Sequence, residues 1–141
     1  MPDRKEYNAR RANDMHRLVS EDEEQIAIFK WARLQESRYP ELKQLHHIPN
    51  GGLRSKATAA KLKAMGVKPG VPDMCLPVPR NGCHGLYIEL KRREGGVISP
   101  AQGKWLEDLY NNGYQASVCY GADEAIKVIK EYINADSVLV M

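Results

Sequence analysis

The chain has 141 residues, 43% of them hydrophobic, and a formal net charge of +3, which fits one domain with a core of ordinary size. No stretch approaches the roughly 18 apolar residues of a membrane span, and the charged segment from Met1 to Arg17 does not read as a signal peptide, so a soluble, cytoplasmic protein is expected. Cys75, Cys83 and Cys119 are odd in number and lack paired CxxC spacing, which argues against a disulfide framework and against structural zinc.

In chain order, residues 1–19 are polar without clean apolar periodicity and read as a tail, leaving 20–141 as the folded domain. Ser20 followed three residues later by Glu23 reads as a capping box opening a helix with an apolar stripe of Ile26, Phe29, Ala32 and the stem of Arg33. Pro40 closes that region, and Leu45 to Ile48 is a short strand ended by Pro49-Asn50-Gly51-Gly52, whose glycines permit close backbone approach to a ligand. Ser55 caps a helix over Lys56 to Met65, stopped by Gly66 and followed by a Pro69-Gly70 turn. Pro72 to Leu76 and Leu86 to Lys91 form a hairpin with an enlarged loop, Pro77 to Gly85. Ser99, Pro100 and Gln102 predict a second capping box and a helix reaching Asn112-Gly113. Gln115 to Tyr120 is a strand, Asp123 to Asn134 a helix with Ile126, Ile129 and Ile133 on one face, and Val138 to Met141 an edge strand or a frayed end. Trp31, Trp105, Tyr110 and Tyr114 are expected to fill the core. This order predicts an α/β fold, a mixed sheet with helices on both sides.

The charge is unevenly divided. No acid occurs between Leu42 and Pro72, where Lys43, Arg54, Lys56, Lys61, Lys63 and Lys68 stand beside His46 and His47. From Asp73 to Lys104, Arg80, Lys91, Arg92, Arg93 and Lys104 face three acids, whereas the stretch from Trp105 onward holds six acids and two lysines. A basic middle segment of this kind suits a nucleic-acid backbone.

Within it, Pro72-Asp73 is followed after fifteen residues by Glu89-Leu90-Lys91. Strand alternation sets Glu89 and Lys91 on one surface, with Ile88 and Leu90 turned to the core. Two carboxylates and a lysine on neighbouring strands suit Mg²⁺ or Mn²⁺ and phosphodiester hydrolysis, with the metal activating a water and Lys91 orienting it. An isolated match of this type is more often a solvated strand face with a turn aspartate.

The order and spacing of Ile48-Pro49-Asn50-Gly51-Gly52, Gly70-Val71-Pro72-Asp73, Glu89-Leu90-Lys91-Arg92-Arg93-Glu94-Gly95-Gly96 and Ser99-Pro100-Ala101-Gln102 resemble the VRR-NUC family, virus-type replication-repair nucleases of the PD-(D/E)XK superfamily, over about Ser20 to Ile133. The resemblance implies a restriction-endonuclease-like fold in a stand-alone, phage-type member. It also implies Mg²⁺ or Mn²⁺ held by Glu21, Asp73, Glu89 and the carbonyl of Leu90, with Lys91 and Gln102 completing the catalytic set. Glu24 is the alternative to Glu21, since all four acids of the first helical turn are favoured there by the helix dipole alone. Gln102 has two compatible roles, as the cap of its own helix and as a donor in the site. Asn50, Gly51, Gly52, Arg54, Lys56, Lys68 and Arg92 are candidate DNA contacts. Strand alternation allows only one of Arg92 and Arg93 to face the cleft. The resemblance favours branched DNA, such as a four-way junction, and a homodimer. The alternative class is a non-catalytic nucleic-acid-binding protein in which the acids serve structure.

Overall fold

The computed structural model describes residues 19–50 and 55–135. The tail over 1–18, the Gly51, Gly52 and Arg54 contacts and the Val138 to Met141 strand therefore lie outside the described residues.

Among the described residues, four strands and four α-helices are ordered α1 (Glu21–Gln35), a 3-10 turn (Pro40–Gln44), β1 (His46–His47), α2 (Lys56–Ala64), β2 (Met74–Leu76), β3 (Leu86–Lys91), α3 (Pro100–Asn111), β4 (Gln115–Tyr120) and α4 (Ala122–Ile133). The sheet runs β1-β2-β3-β4, antiparallel except for the parallel β3–β4 pair. It is the mixed α/β sheet expected, with α1 and α4 packed together on one side and α3 against β4. No described helix is long and apolar enough to cross a membrane.

Ile88, Leu90 and Leu86 on β3 and Met74 and Leu76 on β2 bury against Ile28 and Ala32 of α1 and Ala125, Ile129 and Ile133 of α4. The stripe of α1 differs from the one expected. Its buried line is Glu24, Ile28 and Ala32, while Ile26 is 66% exposed. The i, i+4, i+8 series aligns on one helix face, and an acid within it obscured that face in the sequence. Ser20 caps α1 by accepting from the Glu23 amide. At α3 both halves of the capping box form, with the Ser99 amide donating to Gln102 Oε1 and the Gln102 amide to Ser99 Oγ. Trp31 packs against the core, but Tyr110 is 73% exposed and is not a core residue.

The β2–β3 connection contains its own tight turn. Arg80 and Cys83 exchange backbone hydrogen bonds across Asn81 and Gly82, whose φ values of 48° and 74° suit a primed hairpin turn. Arg80 then donates to the Ile133 carbonyl and pairs with Glu41. The sequence counted it in the basic footprint, but the fold uses it to tie the far end of α4. The three cysteines are free; burial pushes the Cys119 thiol up to about 12, so it stays protonated.

Candidate active site

The β2–β3 ladder builds the acid pair. Its register sets Met74 opposite Ile88, so one step further brings Asp73 opposite Glu89, and directly opposed residues of an antiparallel pair share a face. Pro72, fully buried, has no N–H and cannot extend the ladder. The Leu90 amide donates instead to Asp73 Oδ2 at 2.7 Å. On the next residue the Lys91 carbonyl accepts from Gly121 at the β4 side. Backbone groups alternate sides along a strand, so the Leu90 carbonyl points toward Asp73, where a main-chain ligand was expected.

The loop bearing Asp73 is held from three directions. Its carbonyl accepts from the Ile48 amide and lies 2.8 Å from His47 Nδ1. The Asn50 side chain donates to the Val71 carbonyl and so braces this loop. Gly70, at φ +85°, lies so close to α3 that a Cβ would stand 2.6 Å from the Ala101 carbonyl carbon. His47 gave no sequence signal for this bracing role, because its partner is a backbone atom 26 residues away.

Glu89 is 2% exposed and Lys91 7%, so neither lies on a solvated strand face. Lys91 Nζ stands 3.7 Å from Glu89 Oε1, and Gln102 Nε2 donates to the same oxygen at 3.0 Å. Gln102 thus caps α3 and reaches the site at once. Glu89 Oε2 is buried without a hydrogen-bond donor. Burial foremost, and then the charge of Asp73, raise the Glu89 carboxyl to about 8, against the opposing pull of Lys91. Two facing carboxylates with an orphaned oxygen between them call for a proton or a cation, and an all-oxygen donor set suits Mg²⁺ or Mn²⁺.

The two acids of α1 separate clearly. Glu24 is 3% exposed and fully bonded, accepting from Arg93 Nε at 3.0 Å and from the Ala122 amide at the start of α4. Glu21 is half-buried, and its charge adds to the upward push on Glu89. Among the described residues no three of His, Cys, Asp and Glu converge as a ligand cluster, so the acids in contact are Asp73 and Glu89, with Glu21 at the margin. Arg93 is engaged by Glu24 and Asp123, whereas Arg92 lines a groove with Val19, Ser20, Glu21 and Asp22. Of the two arginines, Arg92 is the one beside the cleft. Lys56 and Lys68 are exposed away from these contacts.

A mixed sheet presenting an acid pair and a buried lysine on two neighbouring strands, with a glutamine from the first turn of α3 bonded to one acid, is an arrangement of the nuclease type. The VRR-NUC domain model matches residues 4–123, and the chain belongs to the VRR-NUC family, a nuclease-type family. A solved structure described as a VRR_NUC domain protein is 37% identical and superimposes with a TM-score of 0.72, over 84% of this chain and 96% of that one. No curated protein matches the chain.

Proposed function

We propose that the protein is a Mg²⁺- or Mn²⁺-dependent DNA endonuclease that cuts branched DNA, with four-way junctions the favoured substrate. The observation that carries this reading is the state of Glu89. An acid retained for structure looks like Glu24, with both oxygens bonded. Glu89 is equally buried yet leaves Oε2 unsatisfied against a second carboxylate, an arrangement that costs folding energy unless a ligand neutralises it. That contrast argues against a non-catalytic binder.

Asp73, Glu89 and the Leu90 carbonyl would hold the metal, with Glu21 as a further acid at its edge. Bound there, the metal would supply Lewis acidity toward the phosphate and a water of lowered pKa. Lys91, held over Glu89, orients the attacking water and offsets charge on the phosphate oxygens. Gln102 fixes the Glu89 carboxylate through its amide and keeps it turned toward Asp73. Arg92 offers a phosphate contact beside Glu21; phosphate contacts position DNA without reading sequence, so cutting is structure-selective rather than sequence-specific.

Resolving a junction takes two symmetric cuts, and each chain offers one site, so the working form is a homodimer with two-fold symmetry. The test is a panel of labelled linear, flap and four-way DNAs incubated with Mg²⁺ or Mn²⁺, alongside sedimentation. Preferential paired cutting of the junction by a dimer, lost in Asp73→Asn, is expected. Wild-type rates in Asp73→Asn would refute the catalytic assignment, and a monomer that only nicks would refute paired cutting.

A further inference from the structure

Helix α2 (Lys56–Ala64) has no buried residue, in contrast to the other described helices. It nevertheless completes both of its own ends. Ser55 Oγ accepts from the Thr58 amide. At the other end the Gly66 amide donates to the Lys63 carbonyl and the Val67 amide to the Leu62 carbonyl, with Gly66 at φ +101°. That is a Schellman closure, with Leu62 and Val67 as its apolar contact, and these two are the partly buried members of the segment. Self-capping satisfies the terminal backbone groups without help from the sheet. The helix makes at most weak contact with the other described elements, and the chain after it returns to the site at Gly70, seated tightly on Ala101.

Its side chains sort by face. At about 100° per residue, Lys56 and Lys63 fall within about 20° of each other, while Leu62 lies roughly 100–120° round from both. Ala59 and Ala60 fill the surface between the two lysines, leaving a smooth strip with a cation at each end. Lys61 sits about 140–160° away, on the opposite flank. Seven residues at 1.5 Å separate the two cations by about 10.5 Å along the axis, or about three steps of one DNA strand at 3.4 Å per step.

We infer that the Lys56–Ala59–Ala60–Lys63 face of α2 docks on the sugar-phosphate backbone of duplex DNA flanking the cut site, making α2 a substrate-binding arm. The occupant follows from charge: no acid lies anywhere between Leu42 and Pro72, and the alanine strip lets a phosphate chain approach closely enough for both ammonium groups to reach it. The inference rests on the reading of the chain as a DNA nuclease and adds the surface that carries the duplex.

The test measures binding of a fluorescent duplex of mixed sequence as a function of salt, with EDTA present so that no strand is cut. Wild type is compared with Lys63→Ala, Lys56→Ala/Lys63→Ala and Lys61→Ala. Lysine to alanine does not weaken a helix, and circular dichroism verifies that each variant is folded. The slope of log affinity against log salt should fall by about 0.9 in Lys63→Ala and about 1.8 in the double variant, and stay near wild type in Lys61→Ala. Equal changes in Lys61→Ala and Lys63→Ala would show a diffuse field and overturn the docked face. So would a change in sedimentation with no change in slope, which would make the strip a protein contact. Wild-type protein that binds no duplex yet cuts the four-way DNA with Mg²⁺ or Mn²⁺ would overturn the arm alone, whereas protein that neither binds nor cuts would overturn the nuclease reading as well.

Discussion

Replacing Glu89 with glutamine separates the cost of the buried acid from its use. The metal-free carboxyl is raised from 4.5 to about 8, by burial first and by the charge of Asp73 second. Its folded pKa lies above its unfolded one, so between these values the folded chain binds more protons, and stability falls as pH rises from about 4.5 through about 8. At roughly 1.4 kcal/mol per tenfold change in proton affinity the complete penalty is up to about 5 kcal/mol, and screening of the Asp73 contribution brings it to about 3–5 kcal/mol. The introduced glutamine keeps an oxygen for the Gln102 amide and presents an N–H to Asp73 in place of the orphaned Oε2. In EDTA, Glu89→Gln should unfold about 10 °C or more above wild type at about pH 9 and close to it at about pH 5, while cutting no DNA. Thermal unfolding of both proteins from about pH 5 to about 9.5 is the assay, and the difference between them isolates this one group. Curves that run parallel across that range, or wild-type stability that climbs relative to the variant with pH, would refute the assignment of a strained, protonated Glu89.

Adding Mg²⁺ or Mn²⁺ to wild type near neutral pH should raise the unfolding midpoint, through binding to the native state. The effect should grow with pH as the Glu89 proton is displaced and vanish in Asp73→Asn, as calorimetric metal titration with proton release can check. Lys91→Ala should lose on the order of a hundredfold or more in single-turnover cleavage at saturating DNA with binding little changed; a rise in Kd alone would demote Lys91 to a binding group. Glu24→Ala leaves the Ala122 amide without its acceptor and Arg93 with Asp123 alone, and should cost about 1–3 kcal/mol in urea unfolding. An exposed-site value under about 0.5 kcal/mol would show that this junction of α1 and α4 is not formed.

Most elements were legible because their signals are local. The strand over Leu86 to Lys91, the Ser99–Gln102 box and the Gly66 stop are each signalled within a few residues, and each is present in the structure. The acid pair was legible from its order with Lys91 on two strands that read as neighbours and from the resemblance carried by the flanking motifs, although an enlarged loop, Pro77 to Gly85, joins those strands. What the sequence hid was long-range commitment of polar groups. Arg93 and Glu24 are 69 residues apart, and Arg80 and Ile133 are 53 apart. Nothing in a window of chain distinguishes such a pair from solvated charge. The same blindness misplaced the buried face of α1, because Glu24 sits inside it.

That misplacement bears on function, because Glu21 and Glu24 lie in one helical turn where the helix dipole favours both, and only the resemblance prefers Glu21. Packing separates them by satisfaction of their oxygens. Glu24 locks α1 to Arg93 and the start of α4, and Arg93 also lies against Gly121, where a Cβ would stand 2.7 Å from its side chain. Gly121 in turn donates to the Lys91 carbonyl. A single chain of contacts therefore runs from α1 through Arg93 to the strand end that carries Glu89 and Lys91. Glu24, the alternative to Glu21 in the sequence, is the acid that aligns the helix, which leaves Glu21, the residue the family resemblance favours, for the proposed metal role.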